Sequence, residues 1–154
     1  MPGPAITDTL ITQNVDGLHR RAGSRNVLHL HGDITRVKCF DCDAPAARWD
    51  AAPVPPLCPL CGGLLRPDVV WFGEMLPVRE LEAAMAAARA CDLFLCVGTS
   101  SLVYPAAALP ELALEAGAMV VEINPDATPL SPRAHHVLRG KAGSVLPALL
   151  AALG

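Results

Sequence analysis

The chain has 154 residues, 52% of them hydrophobic and 18% charged, with six cysteines, five histidines and a formal charge of −3 at pH 7. A chain of this length buries roughly two-thirds of its unfolded surface, so a core needs no disulfide scaffold, and the apolar share excludes a disordered chain. Net negative charge argues against an electrostatic nucleic-acid binder, and no uncharged apolar run reaches the roughly 18 residues of a membrane span. The opening residues, Met1-Pro2-Gly3-Pro4-Ala5-Ile6-Thr7-Asp8, carry no basic patch followed by an apolar stretch and do not read as a secretory signal. The expectation is a cytoplasmic protein with reduced thiols, in which cysteines signify metal or chemistry rather than bridges.

In chain order, Thr9-Leu10-Ile11-Thr12 reads as a short strand, followed by a polar, histidine-rich stretch. Residues 37–66 hold four cysteines and Pro45, Pro53, Pro55, Pro56 and Pro59, too proline-rich and too short for a core of their own. Val69-Val70-Trp71-Phe72 predicts a buried strand. Pro77 opens a helix to about Ala90, with Leu81, Met85 and Ala88 on one face. Leu93 to Val97 is a continuous apolar run, which predicts a strand buried on both faces. A second helix runs from Pro105 to Gly117, kinked or divided at Pro110. Met119 to Ile123 is another buried strand ending in Asn124-Pro125, and Ser144 caps a last helix over 145–153. Strand, helix, strand, helix, strand predicts an α/β fold with a parallel sheet and crossover helices. Residues 1–36 and 67–154 are expected to form two segments of that part, with 37–66 as a separate module.

Cys39-x-x-Cys42 and Cys58-x-x-Cys61 stand fifteen residues apart. Two such knuckles bring four thiolates to one point in the tetrahedral arrangement that zinc accepts, with no position left for water or substrate. The metal is then structural and replaces the missing core. A dithiol redox pair is the poorer reading of two pairs at this spacing. Cys91 and Cys96 read as small buried apolar residues.

Three polar segments follow strands. Gln13-Asn14-Val15-Asp16-Gly17 reads either as a polar-ligand loop at a strand's carboxyl end or as a turn whose Asn and Asp bond their own backbone. His29 and His31, two apart, face the same side if they lie on a strand. A neutral imidazole is a general base, a metal ligand or a hydrogen-bonded buried group, and the last reading leads for His19 and His29. His135-His136 reads as solvent-facing. Gly98-Thr99-Ser100-Ser101 sits where turn amides and hydroxyls meet phosphate or ribose, although the dinucleotide Gly-x-Gly-x-x-Gly pattern is absent. Asn124 reaches a ribose hydroxyl or merely starts a turn.

Taken together, the chain resembles the sirtuins, NAD-dependent protein-lysine deacylases. The matching runs are Ile11 to His19, Leu30-His31-Gly32, the two Cys-x-x-Cys pairs and Leu65 to Glu74. Val97 to Ser101 with Val103-Tyr104-Pro105, and Ile123-Asn124, complete them. The resemblance implies an incomplete Rossmann-like parallel sheet with helices on both faces, plus a four-cysteine zinc ribbon. It implies His31 as the base that deprotonates a ribose hydroxyl after nicotinamide leaves. Gln13, Asn14 and Asp16 would hold nicotinamide and its ribose, and Gly98, Thr99 and Ser100 the phosphate and ribose. Asn124, with Pro125 and Asp126 beside it, would meet the adenosine ribose, and Ala142 the adenine. Val69, Val70, Trp71, Phe72 and Gly73 would pair with an acyl-lysine peptide by backbone hydrogen bonds, a strand-addition mode that tolerates many sequences.

The wording from Arg66 to Glu74 resembles most the bacterial and mitochondrial subgroup that removes acidic acyl groups. The family's first strand, its Gly-Ala-Gly-x-Ser loop and the helix and loop after it are expected upstream of Met1, as are the residues that select the acyl group. The resemblance thus implies NAD and structural zinc as cofactors and acylated lysine as substrate, with neither nucleic acid nor membrane as partner. The alternative is a catalytically inactive, zinc-stabilised peptide-binding module. A nucleic-acid zinc ribbon is disfavoured by net charge and by the presence of only two lysines, Lys38 and Lys141.

Overall fold

The computed structural model describes residues 7–50 and 52–153. The reading of the first six residues lies outside the described residues. The chain divides into two compact units, one ending at Leu81 and the other starting at Glu82.

In the first unit, β1 (Leu10–Thr12) pairs in parallel with β2 (Val27–His29), Ile11 opposite Leu28. A single helical turn, α1 (Leu18–Arg21), lies between them. β3 (Gly32–Cys39) then pairs antiparallel with β4 (Leu65–Val69), in a ladder running from Gly32 opposite Val69 to Cys39 opposite Leu65. The expected strand over Val69–Phe72 is therefore displaced: β4 ends at Val69. Pro67 lies inside β4, although a proline ordinarily stops a strand. Here it faces Val37 at the edge of a register shift between Asp33 and Val37, where a bulge spares it from donating. Cys39, Cys58 and Leu65 form a small buried cluster, with Val37 and Ala46 against it.

In the second unit, β5 (Leu93–Val97), β6 (Met119–Asn124) and β7 (His136–Arg139) form a parallel sheet in that order. β5 and β6 are joined through a 3-10 turn (Ala106–Ala108) and α3 (Leu109–Glu115). The expected division at Pro110 occurs one residue earlier, since proline is tolerated in the first turn of α3. α2 (Val78–Ala90) buries Ala84 and Ala88 with Leu81 and Met85 half-buried beside them, so the expected face of Leu81, Met85 and Ala88 turns inward and also includes Ala84. α4 (Ala142–Leu153) starts before Ser144, which lies inside its first turn and is not its cap.

The core of this unit gathers Cys96, Ala113, Ala118, Val120 and Leu130, with Cys91 and Phe94 packed against it. Both cysteines are apolar fillers, as expected, and burial pushes both thiols up. β5 is not buried on both faces: Leu93, Leu95 and Val97 are exposed while Cys96 is buried. A continuous apolar run cannot by itself distinguish one covered face from two. The parallel strands with crossover helices make the fold α/β, as the pattern predicts.

Candidate active site and metal centre

Within the first unit, β1 and β3 hold the polar stretch between them. The Leu30 amide donates to Thr12 O at 3.0 Å and the Ile34 amide to Val15 O at 2.8 Å. Thr12 Oγ1 accepts the Asn14 amide at 3.1 Å, and Asp16 Oδ1 accepts the Leu18 amide at 3.0 Å, opening α1. Asp16 thus makes the turn bond expected of it, whereas at Asn14 the acceptor is the Thr12 hydroxyl, and the loop's shape is fixed without the Asn14 side chain.

His29 and His31 part company. His29 closes β2 and is buried at 4% exposure, and neither ring nitrogen has a partner among the described residues, which corrects the expected hydrogen-bonded histidine. Burial first, then the Arg20 charge, lowers its pKa from 6.5. His31 sits half-buried in the turn between β2 and β3, not on a strand with His29. Its Nδ1 lies 2.9 Å from Gln13 O. A carbonyl oxygen only accepts, so Nδ1 carries the proton and Nε2 presents the lone pair. The His31 carbonyl in turn accepts the Val70 amide at 3.0 Å.

Gly32 makes this joint possible. Its φ is +80°, and a Cβ there would lie 2.0 Å from Asp68 O. Asp33 beside it is buried. Burial opposes its charge, but the Thr35 amide at 2.9 Å and hydroxyl at 2.6 Å outweigh that and hold the carboxyl below its ordinary range.

Beyond Val70 the chain turns. Trp71 and Phe72 are exposed, and Gly73 has φ +88°. Arg66 and Glu74, which the motif contains but the sequence reading gave no role, tie this turn together. The paired Arg66 guanidinium holds the Glu74 carboxyl down at about 2. A buried arginine forked on a nearby glutamate leaves no signal in composition or periodicity.

The ladder's other end carries the cysteines. All four sulfurs lie within 4.8 Å of one another, with Cys39–Cys61 at 3.5 Å and Cys42–Cys58 at 3.9 Å. Zn–S bonds of about 2.3 Å in a tetrahedron place sulfurs about 3.8 Å apart, so the set fits zinc. The Leu60 amide points at Cys58 Sγ and the Gly63 amide at Cys61 Sγ, each at 3.4 Å. The Leu60 amide draws the Cys58 thiol down to about 7. The Gly63 amide favours the Cys61 thiolate, but its three sulfur neighbours outweigh that and push it up to about 12. Four thiolates this close repel one another until a cation joins them.

In the second unit, three turns follow the carboxyl ends of β5, β6 and β7. Gly98 (φ +64°) donates its amide to Ile123 O at 2.9 Å. Asn124 Nδ2 donates to Thr99 O at 2.8 Å, and Asn124 Oδ1 accepts the Asp126 amide at 3.2 Å, so this side chain joins two of the turns. Ser100, Pro125 and Asp126 are exposed, and Ala142 opens α4. Glu122, 1% exposed, accepts the Thr128 and Ser131 hydroxyls and pairs with Arg139, anchoring the loop after β6. His135 and His136 are exposed as expected, although His135 Nδ1 also accepts the Val120 amide.

Polar strand ends, a tautomer-fixed histidine and a four-cysteine module define the class as an α/β protein with a candidate metal-binding insertion. Residues 5–105 match the Sir2 family, and the chain belongs to that family. It is 51% identical over 152 residues to an NAD-dependent protein deacylase of Pyrococcus furiosus, covering 94% of this chain and 61% of that protein. It is 52% identical over 147 residues to NAD-dependent protein deacylase 1 of Archaeoglobus fulgidus, with 94% and 60% covered. A Sir2 homologue solved with NAD superimposes with TM-score 0.85 at 51% identity, covering 94% of this chain and 57% of that one. A Sir2 protein bound to acetylated peptide gives TM-score 0.86 at 31% identity, with 94% and 63% covered. The fold is thus the Rossmann-like α/β fold of these proteins. The chain spans about three-fifths of the length of the curated relatives it matches.

Proposed function

We propose that the protein is an NAD-dependent protein-lysine deacylase of the sirtuin type, which moves the acyl group of a modified lysine to ADP-ribose with release of nicotinamide. The observation that carries this is the His31 geometry: a proton fixed on Nδ1 by Gln13 O and a free acceptor at Nε2. Relatives named deacylases, and solved relatives holding NAD or acetylated peptide, support the reading.

NAD supplies the electrophilic carbon and the leaving group when bound. His31 Nε2 takes a proton from a ribose hydroxyl, a role in which a positioned base contributes about 10²–10⁴-fold. Gln13, Asn14 and Asp16 hold nicotinamide and its ribose. Gly98, Thr99 and Ser100 meet phosphate and ribose, and Asn124, Pro125, Asp126 and Ala142 the adenosine end. Turn amides, hydroxyls and a carboxylate at strand carboxyl ends are the donor set such a ligand needs.

Val69 to Gly73 docks the acyl-lysine peptide. Cys39, Cys42, Cys58 and Cys61 hold a structural zinc, so residues 37–66 act as a module between the segments 1–36 and 67–154. The Cys39–Leu65 pair that closes the module's base supports this division. A cytoplasmic protein that binds neither nucleic acid nor membrane suits the net charge of −3. Among the described residues no helix is long and apolar enough to cross a membrane.

The test is nicotinamide release from NAD in the presence of an acetyl-lysine peptide. Release by the wild-type protein, lost in His31→Ala with peptide binding and metal content retained, is the expected result. Peptide binding without any release would overturn the deacylase reading in favour of a zinc-stabilised peptide-binding module.

A further inference from the structure

Arg66 lies on β4 at 9% exposure, a burial that a guanidinium tolerates only with partners. Those partners lie in the residues just after it. Nη2 donates to Val69 O at 2.7 Å, while Nη1 and Nη2 fork onto the Glu74 carboxylate at 2.5 and 3.0 Å. Glu74 Oε2 also accepts the Trp71 amide at 3.0 Å, and Trp71 O accepts the Glu74 amide at 3.0 Å. The guanidinium carbon stands 4.2 Å from the centre of the Trp71 ring and 5.7 Å from that of Phe40. Its Nε remains buried without a partner among the described residues, while both Nη atoms are bonded to the turn.

The bonding pattern divides the turn in two. Polar backbone groups of Val69, Trp71 and Glu74 are consumed internally. Phe72, between them, is fully exposed, and the Phe72 and Gly73 amides donate to no described residue. An exposed aromatic, with backbone amides at Phe72 and Gly73 that have no partner among the described residues, is held in one shape by the buried Arg66 and its fork on the exposed Glu74.

We propose that Arg66 is the positioning residue for peptide docking. Acting through Glu74, it holds the 69–74 turn so that the Phe72–Gly73 backbone meets an acyl-lysine peptide already ordered. This role rests on the reading of Val69 to Gly73 as the docking segment. Without the fork, ordering several residues is charged to the binding step, and the expected loss is about tenfold in affinity, or about 1.4 kcal/mol.

The experiment uses a Trp49→Phe background, which leaves Trp71 the sole tryptophan. Binding of a fluorescein-labelled acetyl-lysine peptide is followed by anisotropy, and the turn by Trp71 emission. All measurements are made well below each variant's melting temperature. Affinity is expected to fall in the order wild type, Glu74→Gln, Glu74→Ala, with metal content unchanged. Arg66→Lys should bind like Glu74→Ala, because an ammonium cannot fork. Full peptide affinity in Glu74→Ala, with Trp71 emission showing the turn released, would overturn the positioning role alone. A wild-type protein that binds no peptide would overturn the docking reading and the role of Arg66 with it.

Discussion

Replacing Gly32 by alanine tests the joint between His31 and the β3–β4 ladder. The added Cβ would lie 2.0 Å from Asp68 O, 2.9 Å from Asp68 C and 3.1 Å from Val69 Cα, all of them backbone atoms that no rotamer change can move. Relief requires either a new backbone conformation at residue 32 or separation of the ladder's end. Alanine in the left-handed region costs about 1–2 kcal/mol. Parting the strands here breaks the Val70–His31 hydrogen bond, worth about 1 kcal/mol net. The expected destabilisation is about 2–3 kcal/mol, read from urea unfolding followed by circular dichroism with an unchanged m-value. Gly17→Ala is the control: its added Cβ meets nothing within 4 Å and its φ is −91°, so it should stay within about 0.5 kcal/mol of wild type. A Gly32→Ala protein as stable as that control would refute the steric reasoning.

His29→Leu should stabilise the protein by about 1–3 kcal/mol at pH 7, because it removes two buried, unpaired ring nitrogens. The pH profile should change with it. The folded-state pKa of His29 lies below 6.5, so the unfolded chain takes up the proton first and wild-type stability falls as pH drops through 6.5. That part of the acid limb should flatten in His29→Leu, and a destabilised variant with an unchanged limb would count against the buried, unpaired ring. Metal analysis after reduced purification should find a single zinc per chain, absent in Cys42→Ser. Chelation should shift Trp49 emission to the red as the module opens; a metal-free wild-type protein would sink the tetrahedral reading.

The metal centre was legible because its chemistry is local: four identical ligands at fixed spacing, which the fold then gathers within 4.8 Å. β5 was legible because an unbroken apolar run needs no context, and β6 because Glu122 alone interrupts the run from Met119 to Ile123. β3 escaped because Asp33, Thr35, Arg36 and Lys38 interrupt any apolar alternation. Asp33 is buried through bonds to Thr35, and Arg36 and Lys38 are exposed or half-buried while pairing with Asp68. β7 escaped because it has only four residues and follows a proline-containing loop. The separation of His29 from His31 was equally hidden, since it depends on where β2 stops, and Gly32 with φ +80° sets that turn. The Arg66–Glu74 fork spans eight residues across a turn, a relation that neither helical nor strand periodicity reports.

The opposition of Cys39 and Leu65 across the ladder bears on how this protein can vary. Seen from His31, everything between those two residues is a side excursion that returns to its point of departure in register. Closing a longer excursion costs little, about 0.6 kcal/mol for each doubling of its length. Length changes within the excursion therefore cost the ladder little as long as Cys58, Ala46 and the backbone groups of Ala44 and Pro56 that bond its end are kept. A shift of a single residue in the regular stretch from Val37 to Cys39 is different, for it would turn those side chains to the opposite face. Evolutionary freedom and evolutionary constraint thus meet at one residue pair.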